Sequence, residues 1–260
     1  MKTLRSPWPV LAILLATGCA PMGLSPAGPD EPQATQSTVS QDGQTPQASG
    51  SASPSPSAAP STTVPPRTVT INVSGDLLWH NSLWNSAEVD AKVTGAPRFD
   101  FLPQLESLQS YVSAADMAIC HSEVPFAAVD GPFRNYPLFA APQEIAPAIK
   151  AVGWDLCTTA SNHTMDAGWE GLVRTIDVHQ AAGIMTAGSY ATEAAANTPV
   201  VYTTASGVKV AVISQTYGLN GIPKAEGKPW SGELLDADLA IAQAQRAREA
   251  GADLVAVHIH

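Results

Sequence analysis

Three apolar stretches of the chain each end in a short polar segment that carries chemically active side chains. These runs are 68–73, 115–120 and 154–160, followed in turn by Gly75-Asp76, His121-Ser122-Glu123 and Asn162-His163. Apolar runs of this length predict buried β-strands. Because α/β proteins keep their functional groups at the ends of strands, the pattern predicts one site assembled from several strand ends.

The rest of the pattern alternates between helix and strand. Helices are predicted where apolar or helix-favouring residues recur at helical spacing, at 101–114, 142–152, 169–182 and 236–250. Further strands are predicted at 184–187, 199–204, 208–214 and 253–260, with Ser206-Gly207 as a hairpin turn. This order predicts an α/β fold with a largely parallel sheet and one local antiparallel hairpin.

The last predicted strand, 253–260, is followed by no turn residue, cap or tail. Strand periodicity places His258 and His260 on one face and Ile259 on the other. Domains rarely stop on the last residue of a buried strand, so we expect the C-terminal part of this domain to be missing from the chain.

The N-terminus has the features of a bacterial export signal. A basic segment, Met1 to Arg5, precedes an apolar stretch, Trp8 to Ala16, that is too short to span a bilayer as a helix. Ala16-Thr17-Gly18-Cys19 is similar to a lipobox, although the lipobox usually has Leu where this chain has Ala16. We therefore predict a lipoprotein signal at 1–19 and a lipid on Cys19 that anchors the protein to the cell membrane, outside the cytoplasm. Ordinary secretion is the alternative.

Residues 20–66 are dominated by Pro, Ser, Ala, Gln and Thr, with almost no large apolar side chains. Such a segment cannot bury enough surface to offset the entropy lost on ordering, so we predict a disordered linker that extends the domain away from the membrane. Residues 67–260 are long enough to form one domain with a sizeable core.

The charge of the chain restricts its partners. The formal net charge is −10, and it becomes −12 once Lys2 and Arg5 are removed with the signal. Nucleic-acid binding draws most of its affinity from Lys and Arg on phosphates, so we expect no nucleic-acid partner. If the substrate is anionic, a metal ion must mediate the contact.

Two cysteines remain after Cys19, and both lie inside apolar strand-like runs. Cys120 and Cys157 are expected to be buried free thiols, because unpaired cysteine is among the residue types most often buried. A disulfide between them is the alternative in an oxidising compartment.

The polar segments at the strand ends supply oxygen and imidazole nitrogen, the ligand atoms of divalent-metal sites. Each candidate also has a simpler explanation. Asp76 could cap a turn, Glu123 could be a solvated loop carboxylate, and Asn162-His163 could form a hydrogen-bond network within their loop. Asp166 is expected to orient that loop, and His179 to lie exposed on its helix.

Four blocks of the sequence, in order, resemble those of the CapA family of poly-gamma-glutamate capsule biosynthesis proteins. They are Ser74 to His80, Ala115 to Glu123, Ser161 to Gly168 and the closing His260. The family is related in fold to calcineurin-like metallophosphoesterases. The resemblance implies a two-layer β core flanked by helices, with the site at the strand ends.

The resemblance also implies functional residues. The residues that correspond to the family's metal-site positions are Asp76, Glu123, Asn162, His163 and His260. The chain departs from the family pattern at His121, where Asn is common. The resemblance thus implies a divalent ion, of unknown identity, bound at these five metal-site positions. Proton transfer is assigned to Glu123, His121 and His163.

These observations lead to one functional hypothesis and two alternatives. The hypothesis is a lipid-anchored, extracytoplasmic CapA-type protein that acts in the synthesis, export or trimming of an anionic surface polymer such as poly-gamma-glutamate, within a capsule synthesis or export complex. A metal-dependent hydrolase would fit this role. The alternatives are a non-catalytic polymer-binding subunit and a phosphoesterase unrelated to capsule, which acts on a small anionic substrate.

Overall fold

The computed structural model describes residues 67–260, and the predicted signal at 1–19, the lipidation at Cys19 and the linker at 20–66 lie outside the described residues. Helices and strands alternate along this part of the chain, as the apolar pattern predicted. None of the helices in this range combines the length and apolar character that crossing a bilayer requires.

The first sheet contains four parallel strands in the order β1-β2-β3-β4. Its strands are β1 (Ile71–Leu77), β2 (Met117–Ser122), β3 (Leu156–Thr158) and β4 (Met185–Ala187). Parallel neighbours require crossover connections, and helical segments supply them. All the carboxyl ends of these strands therefore meet at one edge of the sheet.

The helices that connect these strands vary in length. They are α1 (Asn81–Thr94), α2 (Leu102–Leu105), α3 (Gln109–Val112), α4 (Ile145–Val152) and α5 (Gly168–Ala181). A 3₁₀ turn, Glu106–Leu108, joins α2 to α3, so the helix predicted at 101–114 is three short helical pieces. The sequence analysis did not predict α1.

The second sheet has three strands in the order β5-β6-β7. They are β5 (Val201–Thr203), β6 (Lys209–Gln215) and β7 (Leu254–Ile259). The first two form the predicted antiparallel hairpin, and Gly207 takes the positive φ of 76° that its tight turn requires. Helix α7 (Ala237–Glu249) then returns the chain so that β7 lies parallel to β6. The short helix α6 (Glu193–Asn197), which precedes β5, was also not predicted.

Apolar side chains from the two sheets pack against each other in a single cluster. Met117, Ile119 and Leu156 from the first sheet share this cluster with Val210 and Val212 from the second. Fully burying one such side chain contributes about 1.5–3 kcal/mol. This packing confirms the predicted two-layer β core.

The opposite face of the first sheet is covered by helices. Helix α4 buries Ile145, Ile149 and Val152, which recur at the spacing of one helical face. It ends at Gly153, whose φ of 118° and close approach to Ser113 favour a residue without a side chain. Helices therefore flank the β core, as predicted.

Cys120 and Cys157 form a disulfide and are not the free thiols that were predicted from the sequence. The parallel register of β2 and β3 sets Cys120 directly beside Cys157, with 4.5 Å between their Cα atoms. That separation lies in the range a disulfide needs, and the sequence could not specify it because register is a property of the folded sheet.

The prediction that His179 is exposed was wrong. Its side chain is fully buried, because His179 lies on the same face of α5 as Leu172 and Ile176, at spacings of seven and three residues. Its ring stacks on Phe126 with centroids 5.0 Å apart.

Candidate metal centre

Asp76 reaches the edge of the first sheet because β1 is irregular there. Val73 pairs with Ile119 and Asp76 with His121, so three steps along β1 match two along β2. The extra residue forms a bulge, a feature that re-aims side chains at strand ends. The indole of buried Trp154 donates a hydrogen bond of 2.9 Å to Ser74 and fixes the bulge.

His121 is buried at the end of β2 with its two ring nitrogens in different environments. Nδ1 lies 2.8 Å from the hydroxyl oxygen of Thr158, which itself donates to the backbone oxygen of Cys120. The hydroxyl therefore accepts from Nδ1–H, and Nε2 keeps a lone pair. Among residues 67–260, Nε2 has no hydrogen-bond partner, although it is buried.

His260 follows β7 and points to the same place. Its Nε2 lies 2.9 Å from Oδ1 of Asn162, and its Nδ1 lies 3.5 Å from Oδ1 of Asp76. The amide oxygen accepts a hydrogen bond, so Nε2 carries the proton. Nδ1 is left with a lone pair that faces the Asp76 carboxylate.

These three side chains form a group that can hold a metal ion. One ligand atom each from Asp76, His121 and His260 lies within 4.8 Å of the others. Burial, together with the neighbouring His258 and His260, lowers the pKa of His121 to about 3, so its ring is neutral at physiological pH. A carboxylate with two imidazoles is a common ligand set for zinc and similar ions. The unpartnered nitrogen of His121 fits a metal because ligand atoms of Asp76 and His260 lie beside it.

His258 completes a stack of imidazoles around this group. The ring of His121 lies between those of His258 and His260, with centroid distances of 4.6 Å to each. Burial, and secondly His260, lowers the pKa of His258. Strand periodicity predicted His258 on the same face as His260, but His258 was not assigned to the site.

Glu123 lies next to the group, immediately after β2. Its Oε1 is 3.9 Å from Nε2 of His260, and Oε2 is buried with no partner among the described residues. Burial raises the pKa of Glu123, and the negative charge of Asp76 adds to the increase. A carboxyl with a raised pKa beside ligand atoms is suited to hold or release a proton.

The Asn-His segment has two separate arrangements of hydrogen bonds. Asn162 contacts His260, as described above, whereas His163 donates from Nδ1 to Oδ2 of Asp166 over 2.7 Å. The same carboxylate oxygen accepts from the backbone N–H of Phe139. Asp166 thus orients His163 and its loop.

The structure therefore brings Asp76, Glu123, Asn162 and His260 together by direct contacts. His121 joins the residues that can bind a metal, although it was predicted from the sequence to transfer protons. Metal ligation by Asp76, Glu123, Asn162, His163 and His260 stays a prediction, as does proton transfer by Glu123, His121 and His163.

His80, the last residue of the first sequence block, bonds through Nδ1 to Oδ1 of Asn135 at 3.0 Å. Its ring packs edge-on against Phe139, which also packs against His163. His80 therefore belongs to the surroundings of the Asn-His loop.

A family model described as bacterial capsule synthesis protein PGA_cap matches residues 70–260. The chain belongs to this family. The match to the bacterial capsule synthesis family covers both sheets and every candidate ligand, and it confirms the resemblance found in the sequence blocks. The mixed α/β architecture agrees with a metallophosphoesterase-like domain of this family. The comparison with curated proteins finds no match for this chain.

Membership of the bacterial capsule synthesis family gives the protein a role related to capsule synthesis. Within that role, the strand ends carry the group that can bind a metal. The finer questions are what the site acts on and where the protein works.

Proposed function

We propose that this protein is a lipid-anchored, extracytoplasmic hydrolase that trims an anionic surface polymer, such as poly-gamma-glutamate, with a divalent metal ion. The observation that carries the proposal is the convergence of ligand atoms from Asp76, His121 and His260 within 4.8 Å. Asp76 and His121 lie in strands of the first sheet and His260 directly follows a strand of the second, a convergence that packing of the core alone does not require.

In this proposal the metal would be held by one oxygen of Asp76, Nε2 of His121 and Nδ1 of His260. When bound, a divalent ion would polarise the scissile carbonyl or phosphoryl group and lower the pKa of a water molecule. It would also attract the substrate, because the protein carries a net charge of −10 and would otherwise repel a polyanion.

Glu123 is the proposed proton carrier. Its buried Oε2 would take a proton from the attacking water as the new C–O bond forms. It would then deliver that proton to the leaving nitrogen as the amide C–N bond breaks. His121 is not suited to this step, because a pKa of about 3 makes its ring a poor proton acceptor.

The N-terminal sequence supports the proposed location. A lipid on Cys19 and a polar segment of 20–66 would hold the domain near the membrane, where a capsule polymer is exported. A capsule synthesis or export complex is the proposed partner. Labelled palmitate should enter the wild-type protein but not Cys19→Ala, and equal labelling of both would contradict the anchor.

The hydrolase is tested with purified protein, Zn²⁺ or Mn²⁺, and poly-gamma-glutamate of defined length. We expect size-exclusion chromatography to show shortened polymer, with EDTA abolishing the change. Glu123→Gln should bind metal and polymer but leave polymer length unchanged. If the metal-loaded wild type binds the polymer without shortening it, the protein is a binding subunit and not a hydrolase.

A further inference from the structure

The loop after β6 places Asn220 against the Asn-His segment. Nδ2 of Asn162 donates a hydrogen bond of 3.2 Å to Oδ1 of Asn220. Neither the sequence blocks nor the family match assigns a role to Asn220. It lies far from Asn162 in the chain, so the contact depends on how the two loops fold together.

The position of Asn220 is fixed by a tight turn. The backbone N–H of Ile222 donates to the oxygen of Leu219 at 2.8 Å, and φ is 52° at Asn220 and 79° at Gly221. Asn-Gly is the preferred pair for a turn with two positive φ values. Among residues 67–260, Asn220 is the one non-glycine residue with a positive φ.

Packing holds this turn close to the Asn-His loop. Leu219 is buried in a cluster with Met165, Leu172 and Ile176, and Met165 belongs to the same loop as Asn162. The turn and the loop therefore share one small core. The separation between Asn220 and Asn162 is set by that core rather than by two mobile surface segments.

The contact determines which end of the Asn162 amide faces His260. The oxygen of Asn220 can only accept, so it draws the NH₂ group of Asn162 and turns Oδ1 toward Nε2 of His260. The hydroxyl of Ser161 donates to the same Oδ1 at 3.2 Å and favours the same orientation. With Oδ1 as acceptor, His260 is protonated at Nε2 and presents the lone pair of Nδ1 to Asp76.

We infer that Asn220 is a positioning residue, which sets the tautomer of His260 through Asn162 and so prepares Nδ1 of His260 to bind metal. This inference rests on the metal site in the proposed function. Partners one step removed from a ligand commonly orient it and raise metal affinity. The preference of the turn for Asn-Gly also explains an asparagine here, and the test separates the two reasons.

Two variants of Asn220 distinguish positioning from turn formation. Asn220→Gly removes the amide and still permits a positive φ, so the turn is kept. Asn220→Asp keeps an acceptor oxygen and tolerates the same backbone. The full-length proteins are compared by Zn²⁺ titration calorimetry, and by ¹⁵N chemical shifts of the His260 ring in metal-free protein, assigned with a His260→Gln spectrum.

We expect Asn220→Gly to weaken Zn²⁺ binding by roughly 10-fold, the lower end of effects for groups outside the ligand shell. The His260 ring should shift toward the Nδ1-protonated form. Asn220→Asp should match wild type in ring shifts and bind Zn²⁺ at least as tightly. An Asn220→Gly protein with wild-type ring shifts and affinity would overturn the inference, as would an Asn220→Asp protein that behaves like Asn220→Gly.

The ring shifts separate this inference from the proposed function. If wild type binds no Zn²⁺ but Asn220→Gly still changes the His260 tautomer, positioning stands and the metal hydrolase fails. If wild type binds Zn²⁺ and the tautomer is the same in both proteins, the metal site stands and the role of Asn220 is overturned.

Discussion

His121 and His179 are both fully buried, and each donates from Nδ1 to an oxygen, to the Thr158 hydroxyl and the Thr175 backbone oxygen respectively. Both rings stack on another ring, and within the described range Nε2 has no partner in either. Burial lowers the pKa of His121 to about 3 and that of His179 to about 4. By these measures the two histidines are nearly equivalent.

They differ in what surrounds the unprotonated nitrogen. His121 is the penultimate residue of β2, and its ligand atom lies within 4.8 Å of ligand atoms of Asp76 and His260. His179 lies within helix α5 against the ring of Phe126. A buried imidazole with a lone pair is therefore not a site by itself. The convergence of other ligand atoms distinguishes the functional histidine from the structural one.

The largest expected effect is on metal affinity. His121→Ala removes one of three ligands, so we expect Zn²⁺ binding to weaken by more than about 100-fold, beyond the range for outer-shell partners. His179→Leu is the matched control and should bind Zn²⁺ as wild type does. Titration calorimetry at pH 7 measures both. Equal affinities in the two variants would remove the distinction between the histidines.

The disulfide should stabilise the His121 region by several kcal/mol. It joins Cys120 and Cys157, the pair next to His121 and Thr158 in the β2–β3 register. Replacing both cysteines with Ala should reduce the free energy of unfolding by about 2–4 kcal/mol, as measured by urea denaturation of metal-free protein. Treating the wild type with a reductant provides an independent comparison. An unchanged urea midpoint in both experiments would mean that the bond does not support this region.

His179 should make the fold sensitive to acid. Its pKa is about 4 in the folded protein and about 6.5 when unfolded, so the unfolded state binds more protons between these values. Stability is therefore lost as the pH falls below about 6.5, and this group accounts for about 3 kcal/mol between pH 7 and pH 4. His179→Leu removes the titrating group, and urea midpoints of the metal-free proteins at both pH values should show a smaller loss. An equal loss in both proteins would contradict the buried, neutral state of His179.

The smallest effect is expected from substituting Thr158, whose hydroxyl accepts the hydrogen bond from His121. Thr158→Val keeps the shape of the side chain but removes the acceptor for Nδ1–H, so the ring is less firmly oriented. We expect roughly 10-fold weaker Zn²⁺ binding. Thr203→Val, at an exposed position of β5, is the control and should leave affinity unchanged. If the two variants bind alike, the hydroxyl of Thr158 has no part in preparing the site.

Much of the fold could be predicted from the sequence, because buried parallel strands have continuous apolar runs and several helices end at glycine. Seven strands were located from these signals, including the hairpin. Helix α1 was missed because its buried residues, Trp84, Ala87 and Ala91, are few and separated by polar positions. His179 was misplaced although its spacing from Leu172 follows the buried face of α5, a signal that was available.

The site could be predicted only as a set of strand ends. Asp76 and Glu123 were found because each follows an apolar run. The roles within the set depend on distances that only the fold fixes. The bulge at Ser74 that turns Asp76 toward His121, and the hydrogen bond from Asn162 to Asn220, join residues that no local pattern connects.

The proposed metal site can be observed directly by anomalous X-ray diffraction from crystals soaked in Zn²⁺, recorded at the zinc absorption edge. We expect a strong peak about 2.0–2.2 Å from an oxygen of Asp76, Nε2 of His121 and Nδ1 of His260. Zinc bound elsewhere in the domain, with none of these three atoms in its coordination shell, would contradict the proposed metal site.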